Sequence, residues 1–106
     1  MNRMRPIHPG EILREEYLVP LGMSANALAQ AIGVPANRVS AILAGRRSVT
    51  ADSAIRLARA FGTSPEFWLN LQSAHDLRVA QEQDSASIRA VRPIVRASRR
   101  AARARR

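Results

Sequence analysis

Apolar residues recur at helical spacing over most of the first 84 positions, in short runs that glycine, proline or hydroxyl residues separate. Three of these runs begin just after Pro9, Pro35 and Pro65, positions where a residue without an N–H is harmless because the first amides of a helix lack intrahelical partners. Ser24 and Thr50 precede the other two runs and can accept hydrogen bonds from free amides. The pattern therefore predicts five helices and an all-α fold.

The expected ends of these helices follow from residues that stop a helix. The first helix should run from about Pro9 to Leu18 and be closed by Pro20-Leu21-Gly22. The second, third and fourth should end at glycines, which adopt positive φ at little cost: Gly33, Gly45 and Gly62. The fifth opens at Ser64-Pro65, and its apolar residues cover more than one stripe. One face of this helix should pack inward and another should meet a partner.

Residues 24–44, SANALAQAIGVPANRVSAILA, carry the features that two short helices crossing at a steep angle require. Ala29 is small where the helices approach closely, and Gly33 makes the turn. Four aliphatic residues can supply the shared core: Leu28, Ile32, Val39 and Ile42. This spacing matches the helix-turn-helix of phage-repressor-like proteins, and it predicts a five-helix repressor-like domain that binds DNA.

The third helix should present its polar face to the major groove. When Val39 points inward on a helical wheel, the residues expected to read bases are Asn37, Arg38, Ser40 and Ala41. An asparagine can pair with adenine, an arginine with guanine, and an alanine can approach a thymine methyl group. The ordinary alternative is a solvated helix face.

Other polar residues near this helix are expected to bind the DNA backbone. Arg46 and Arg47 follow it directly on a loop, and Ser24 and Gln30 on the second helix could add neutral phosphate contacts, although Ser24 also suits a cap. Arg56 and Arg59 are expected to be solvated or paired with acids such as Asp52. The predicted dimer interface lies on the fifth helix at Trp68, Leu69 and Leu77. The alternative for Trp68 is a place in the core.

Composition limits the other possibilities. A chain of 106 residues has room for one core, and without cysteine and with only His8 and His75 as histidines it is expected to hold no metal or cofactor. His75-Asp76 is interpreted as helix surface, and no nucleophile–base pair or phosphate-binding glycine loop indicates an enzyme. No apolar stretch of about 20 residues and no secretion signal is visible, so a cytoplasmic protein without a membrane partner is expected.

The positive charge lies mostly at the C-terminus. The net charge is +9, and all 17 basic residues are arginines. Residues 1–84 hold nine of them beside all eight acids, whereas residues 85–106 hold eight arginines and no acid. The chain is therefore predicted to consist of a helix-turn-helix domain, residues 1–84, and a basic, disordered tail, residues 85–106, that assists DNA binding electrostatically.

Two segments resemble a known family, the HigA antitoxins: His8-Pro9-Gly10-Glu11-Ile12-Leu13 and the stretch from Val34 to Gln72. The resemblance covers about residues 5–81. It implies a homodimer that binds a palindromic operator at its own promoter, represses its operon and neutralises a HigB-like toxin, a small ribonuclease related to RelE. The nearest alternative is a stand-alone repressor-like regulator without a toxin. A third is a structural or RNA-binding protein that works through its arginine tail.

Overall fold

The computed structural model describes residues 5–95, which form six helices and no strand. The helices are α1, residues 9–21 (Pro9–Ile12, a π-helical Leu13–Leu18, and Val19–Leu21), α2 (Ala25–Ile32), α3 (Ala36–Leu43), α4 (Ala51–Phe61), α5 (Pro65–Gln83) and α6 (Ala86–Arg89). The all-α fold class is confirmed, and α1 to α5 are the five expected helices. The short α6 is an addition to them.

Hydroxyl caps and left-handed glycines define the helix ends, as expected. The Ser24 hydroxyl accepts a hydrogen bond from the Ala27 amide at 3.0 Å, and the hydroxyls of Thr50 and Ser64 cap α4 and α5 in the same way. Gly33 follows α2 with φ of 73°, a value that glycine adopts without strain. These local signals therefore predict the boundaries of α2 and α4 and the start of α5 correctly.

Helix α1 extends one turn further than expected. It continues past Leu18 to Leu21 although Pro20 lies within it, and Gly22 then ends it with φ of 62°. The preceding turns are π-helical, and the Val19 amide donates to the carbonyl oxygen of Arg14, five residues back. A proline ring clashes with the carbonyl four residues earlier in an α-helix, and the wider π turn relieves this contact.

The core lies where α1 to α5 meet. Its buried apolar residues are Leu13, Leu18, Leu28, Ala29, Val39, Ile42, Val49, Ala54, Leu57, Ala58 and Trp68. The expected shared core of α2 and α3 is present, because Leu28, Val39 and Ile42 are buried and Ile32 packs against them.

Trp68 is fully buried by its own chain. Its ring packs against Tyr17 with centroids 5.3 Å apart, and its indole N–H donates to the Thr63 hydroxyl at 2.8 Å. A side chain with no accessible surface has none to bury against a partner, so the assignment of Trp68 to a dimer interface is corrected to a core role. Leu69 is half-buried against the same core, whereas Leu77 is 59% exposed.

The segment after α5 has local order where only a disordered tail is expected. Asp84 ends α5 with φ of 49°, and the Ser85 hydroxyl caps the single turn of α6 by accepting from the Ile88 amide. Residues 86–95 are nevertheless exposed throughout and add nothing to the core. Six of the eight arginines predicted to form the basic tail lie in residues 96–106, outside the described residues.

Candidate nucleic-acid interface

The turn between α2 and α3 has the geometry that a helix-turn-helix needs. Gly33 adopts a left-handed conformation, and the Val34 amide donates to the carbonyl oxygen of Ala29 at 3.0 Å. A Cβ at Gly33 would also lie 3.3 Å from the guanidinium of Arg56. The glycine is therefore required for its backbone conformation, whereas the tip of the Arg56 side chain would have to shift only slightly to admit a Cβ.

Helix α3 divides into a buried side and an exposed side. Val39 and Ile42 are 2% and 3% exposed, whereas Asn37 and Ser40, one turn apart, are exposed. Ala41 is half-buried at the border between the two sides. Of the four residues predicted to read bases, Asn37 and Ser40 are the ones that present polar groups on the exposed side.

Arg38 does not project outward as the helical wheel suggests. Its guanidinium donates to Oδ2 of Asp52 at 2.7 Å, and its side chain is only 27% exposed. The structure thus corrects the expected orientation of Arg38, because an acid 14 residues away on α4 attracts the side chain. Spacing within α3 alone could not reveal this partner.

Asp52 binds a second arginine, in agreement with the expectation for Arg56. Nε of Arg56 donates to the same Oδ2 at 2.9 Å, and Nη1 of Arg56 donates to the Ile32 carbonyl oxygen at the end of α2 at 2.7 Å. Hydrogen bonds from Arg56 and Arg38 hold the pKa of Asp52 below its usual value. Asp52 therefore links α3 to α4, and Arg56 links the end of α2 to the same helix. Arg59 is exposed.

The loop after α3 begins with a Schellman motif. Gly45 has φ of 76°, its amide donates to Ile42, and the Arg46 amide donates to Ala41 at 2.9 Å. The side chains of Arg46 and Arg47 are exposed, and within residues 5–95 neither has an ion-pair partner. Two guanidinium groups thus follow the exposed side of α3 directly.

A buried glutamine anchors the other end of this loop. Gln72 of α5 is 6% exposed, and its side-chain oxygen accepts a hydrogen bond from the Val49 amide at 2.7 Å. Its Nε2 donates to the Asp76 carboxylate at 2.9 Å. The loop that carries Arg46 and Arg47 is therefore held at both ends, by the Schellman motif and by α5.

His8 joins the start of α1 to the same loop. Its Nδ1 accepts a hydrogen bond from the Gly10 amide at 2.9 Å, and a Cβ built on Gly45 of the loop would lie 3.8 Å from the ring. The His75 ring packs edge-on against it at 4.9 Å. Burial first, and then His75, lower the pKa of His8, which favours the neutral form that the cap requires. The interpretation of His75-Asp76 as helix surface is corrected for His75, which is 21% exposed and packs on His8.

Gly10 brings the backbone of α1 against the backbone of α3. It is buried, and a Cβ built on it would overlap the carbonyl oxygen of Ile42. No larger residue fits here without moving one of the helices. The positions of His8, Gly10 and Gln72 are features that reasoning from sequence does not find, although His8-Pro9-Gly10 belongs to the segment that carries the family resemblance.

The two residues of α2 that are predicted to contact phosphate, Ser24 and Gln30, are both exposed. Ser24 also uses its hydroxyl oxygen for the cap, so a DNA contact would have to use its proton. Over residues 5–95 no cluster of three potential metal ligands occurs, and none of the helices described there is long and apolar enough to cross a membrane.

A helix-turn-helix family model matches residues 13–68, the region that contains α2 to α4 and the start of α5. Antitoxin HigA-1 of Vibrio cholerae is 42% identical over 92 residues, which cover 87% of each chain. The solved structure of an addiction module antidote protein of the HigA family from Coxiella burnetii is 57% identical. It covers 85% of this chain and 99% of its own, with a TM-score of 0.79.

A second solved structure is that of the Pseudomonas aeruginosa antitoxin HigA with the higBA promoter. It is 46% identical, covers 86% of this chain and all of its own, and has a TM-score of 0.80. Identity at this level over nearly the full length of these relatives, together with the matched helix-turn-helix, means that the chain belongs to the HigA family of helix-turn-helix antitoxins.

Proposed function

We propose that this protein is the antitoxin of a type II toxin–antitoxin module, which binds operator DNA as a homodimer, represses its own operon and neutralises a HigB/RelE-like, mRNA-cleaving toxin in the cytoplasm. The observation that carries the DNA-binding part is the continuous surface formed by the exposed side of α3 and the loop after it. A relative of similar fold has been solved with promoter DNA, which supports DNA binding by this protein.

The two parts of this surface suit different parts of the duplex. Asn37 and Ser40 carry short polar side chains that can bond to base edges in the major groove, and half-buried Ala41 permits close approach. Arg46 and Arg47 carry charge on a fixed loop, which suits phosphate oxygens. The first group should therefore supply sequence specificity and the second affinity for any duplex.

Base reading is tested with Asn37→Ala, which should weaken binding to the operator by about 1–3 kcal/mol and leave binding to unrelated DNA nearly unchanged. The matched control is Gln83→Ala, an exposed side-chain amide at the end of α5, outside the helix-turn-helix. Fluorescence anisotropy with operator and scrambled duplexes measures both affinities. Equal weakening on the two duplexes would contradict base reading by Asn37.

Phosphate binding is tested with Arg46→Ala and Arg47→Ala. Each should weaken binding to all sequences alike and reduce the slope of log K against log salt by about 0.9, the value for one phosphate contact. Arg14→Ala removes the same charge from the exposed surface of α1 and serves as the control. A slope that changes no more than in this control would exclude the loop from the interface.

Homodimerisation through α5 is supported by Leu77, an apolar side chain that the protomer leaves 59% exposed. Leu69, half-buried, can add its exposed part. Two-fold symmetry requires a palindromic operator whose half-sites lie about 10 base pairs apart, or a multiple of that, so that both α3 helices meet one side of the duplex. Light scattering at micromolar concentration, with and without operator, tests this. A monomer under both conditions would contradict it.

The toxin partner is tested by co-expression with the product of the neighbouring gene and a pull-down of the complex. A stable complex that abolishes mRNA cleavage is expected. Absence of a complex, together with intact operator binding, would instead favour the stand-alone regulator.

A further inference from the structure

Asp52 lies at the second position of α4 and accepts hydrogen bonds from two arginines that belong to different elements. We propose that Asp52 is a positioning residue for sequence discrimination: by holding the Arg38 guanidinium against α4, it keeps this charge away from the groove-facing side of α3. Discrimination between bases is then left to the short side chains Asn37 and Ser40. This inference rests on the proposed DNA-binding function.

The geometry fixes Arg38 in three ways. Its stem leaves α3 between exposed Asn37 and buried Val39, so the side chain starts at the edge of the exposed side. Its head group donates to Asp52 at 2.7 Å, a short charge-assisted bond. The Arg38 side chain is only 27% exposed. Arg38 is therefore directed along the protein rather than away from it.

The carboxylate that holds Arg38 is itself held. Asp52 occupies the first turn of α4, where the helix dipole favours a negative charge. Its Oδ2 also accepts from Nε of Arg56, and Arg56 is anchored on the Ile32 carbonyl oxygen at 2.7 Å. Hydrogen bonds from both arginines lower its pKa, so Asp52 remains ionised throughout the pH range in which DNA binding is measured. Arg56 thus connects the carboxylate that holds Arg38 to the end of α2.

Releasing Arg38 would change binding in a defined way. A long arginine side chain beside the groove can reach phosphate oxygens whatever the sequence, and each additional phosphate that it neutralises releases a counterion. One such phosphate is worth about fivefold in affinity at 0.15 M salt, from a slope of about 0.9 per phosphate. This gain in affinity does not depend on sequence, so it applies to unrelated DNA. It lowers the ratio of operator affinity to unrelated-DNA affinity when the gain on the operator is smaller. On the operator, the released side chain would compete for space with its neighbours Asn37 and Ser40, so the gain in affinity is expected to be smaller there.

The test is a double-mutant cycle between Asp52→Asn and Arg38→Gln, with affinities for operator and scrambled duplexes measured at several salt concentrations. Asp52→Asn should bind scrambled DNA about fivefold more tightly, steepen its salt slope by about 0.9, and lower the ratio of operator to scrambled affinity. In the double variant these changes should disappear, because the released arginine is absent. Arg38→Gln alone should lower the ratio less than Asp52→Asn does.

Three further measurements separate the alternatives. Glu16→Gln removes an exposed acid on α1 and reports the general effect of one negative charge. Arg56→Gln removes the second hydrogen bond to Asp52 and reports how far the position of Arg38 depends on it. Thermal unfolding shows that each variant is folded.

Two results would overturn the inference. One is an effect of Asp52→Asn that is the same with and without Arg38, or that Glu16→Gln reproduces. The other is a loss of the operator preference in Arg38→Gln alone, which would make Arg38 a base-reading residue. A wild-type protein that binds operator and scrambled DNA equally well would contradict the proposed function itself. If the wild type prefers the operator but the effects of Asp52→Asn and Arg38→Gln are independent, only the role of Asp52 is contradicted.

Discussion

Replacing Gln72 by leucine should destabilise the protein through one buried hydrogen bond. The Gln72 side-chain oxygen is the acceptor for the Val49 amide at 2.7 Å, and Val49 is 3% exposed. Leucine occupies a similar volume but accepts no hydrogen bond, so the amide would remain buried without a partner. Leaving such a donor unsatisfied costs about 1–3 kcal/mol. For a domain of this size about 2 kcal/mol lowers Tm by roughly 8–16 °C.

The assay is thermal and urea unfolding of wild type and Gln72→Leu, followed by operator binding below both transitions. Because Val49 ends the loop that carries Arg46 and Arg47, the variant should also bind all DNA more weakly, as more loop entropy is lost on binding. The matched control is Gln81→Leu, the same chemical change at an exposed site of α5, which should alter stability by no more than about 0.5 kcal/mol. A Gln72→Leu variant as stable as this control would refute the reasoning.

Stability should fall on acidification as His8 gains a proton, because burial lowers the pKa of folded His8 below its usual 6.5 and the cap to Gly10 uses the neutral form. The loss of stability is absent above pH 6.5 and grows as the pH falls through the lowered pKa. His75, Asp76 and the Arg47 backbone face the ring. His8→Asn keeps an N-cap acceptor and should flatten the pH dependence of Tm between pH 8 and 5; an unchanged profile would assign it to other groups. Gly10→Ala should cost at least about 1–3 kcal/mol in urea unfolding, because its Cβ meets α3, and wild-type stability in this variant would contradict the close contact. Removal of residues 85–106 should weaken DNA binding at low salt, flatten its salt dependence and keep the ranking of operator variants; a changed ranking would place specificity in the tail.

The parts of the fold that sequence predicts are those set by neighbouring residues. Ser24 caps the amide three positions on, and Gly33 supplies the turn that follows its own helix, so both boundaries can be inferred locally. The buried side of α3 follows from the spacing of Val39 and Ile42. The end of α1 does not follow in this way, because a proline predicts a stop in an α-helix and the pattern carries no signal for the π-helical turns that accommodate Pro20.

The parts of the candidate site that sequence misses depend on contacts between distant residues. The direction of Arg38 depends on Asp52, 14 positions away, and the anchoring of Val49 depends on Gln72, 23 positions away. The packing of His8 on His75 joins the two ends of the domain. A helical wheel assigns each side chain to a face but cannot show which neighbouring helix brings a partner for it.

The contact of Gly10 with the carbonyl of Ile42 also bears on how relatives with different operators could arise. At this contact α3 meets α1 through main-chain atoms, which are the same whatever side chains α3 displays. The exposed positions Asn37 and Ser40 lie on the opposite side from the buried Val39. Under the proposed function, mutations at these two positions can change the preferred operator while the helix keeps its place, so that duplicated copies of the gene can diverge in target without first losing their fold.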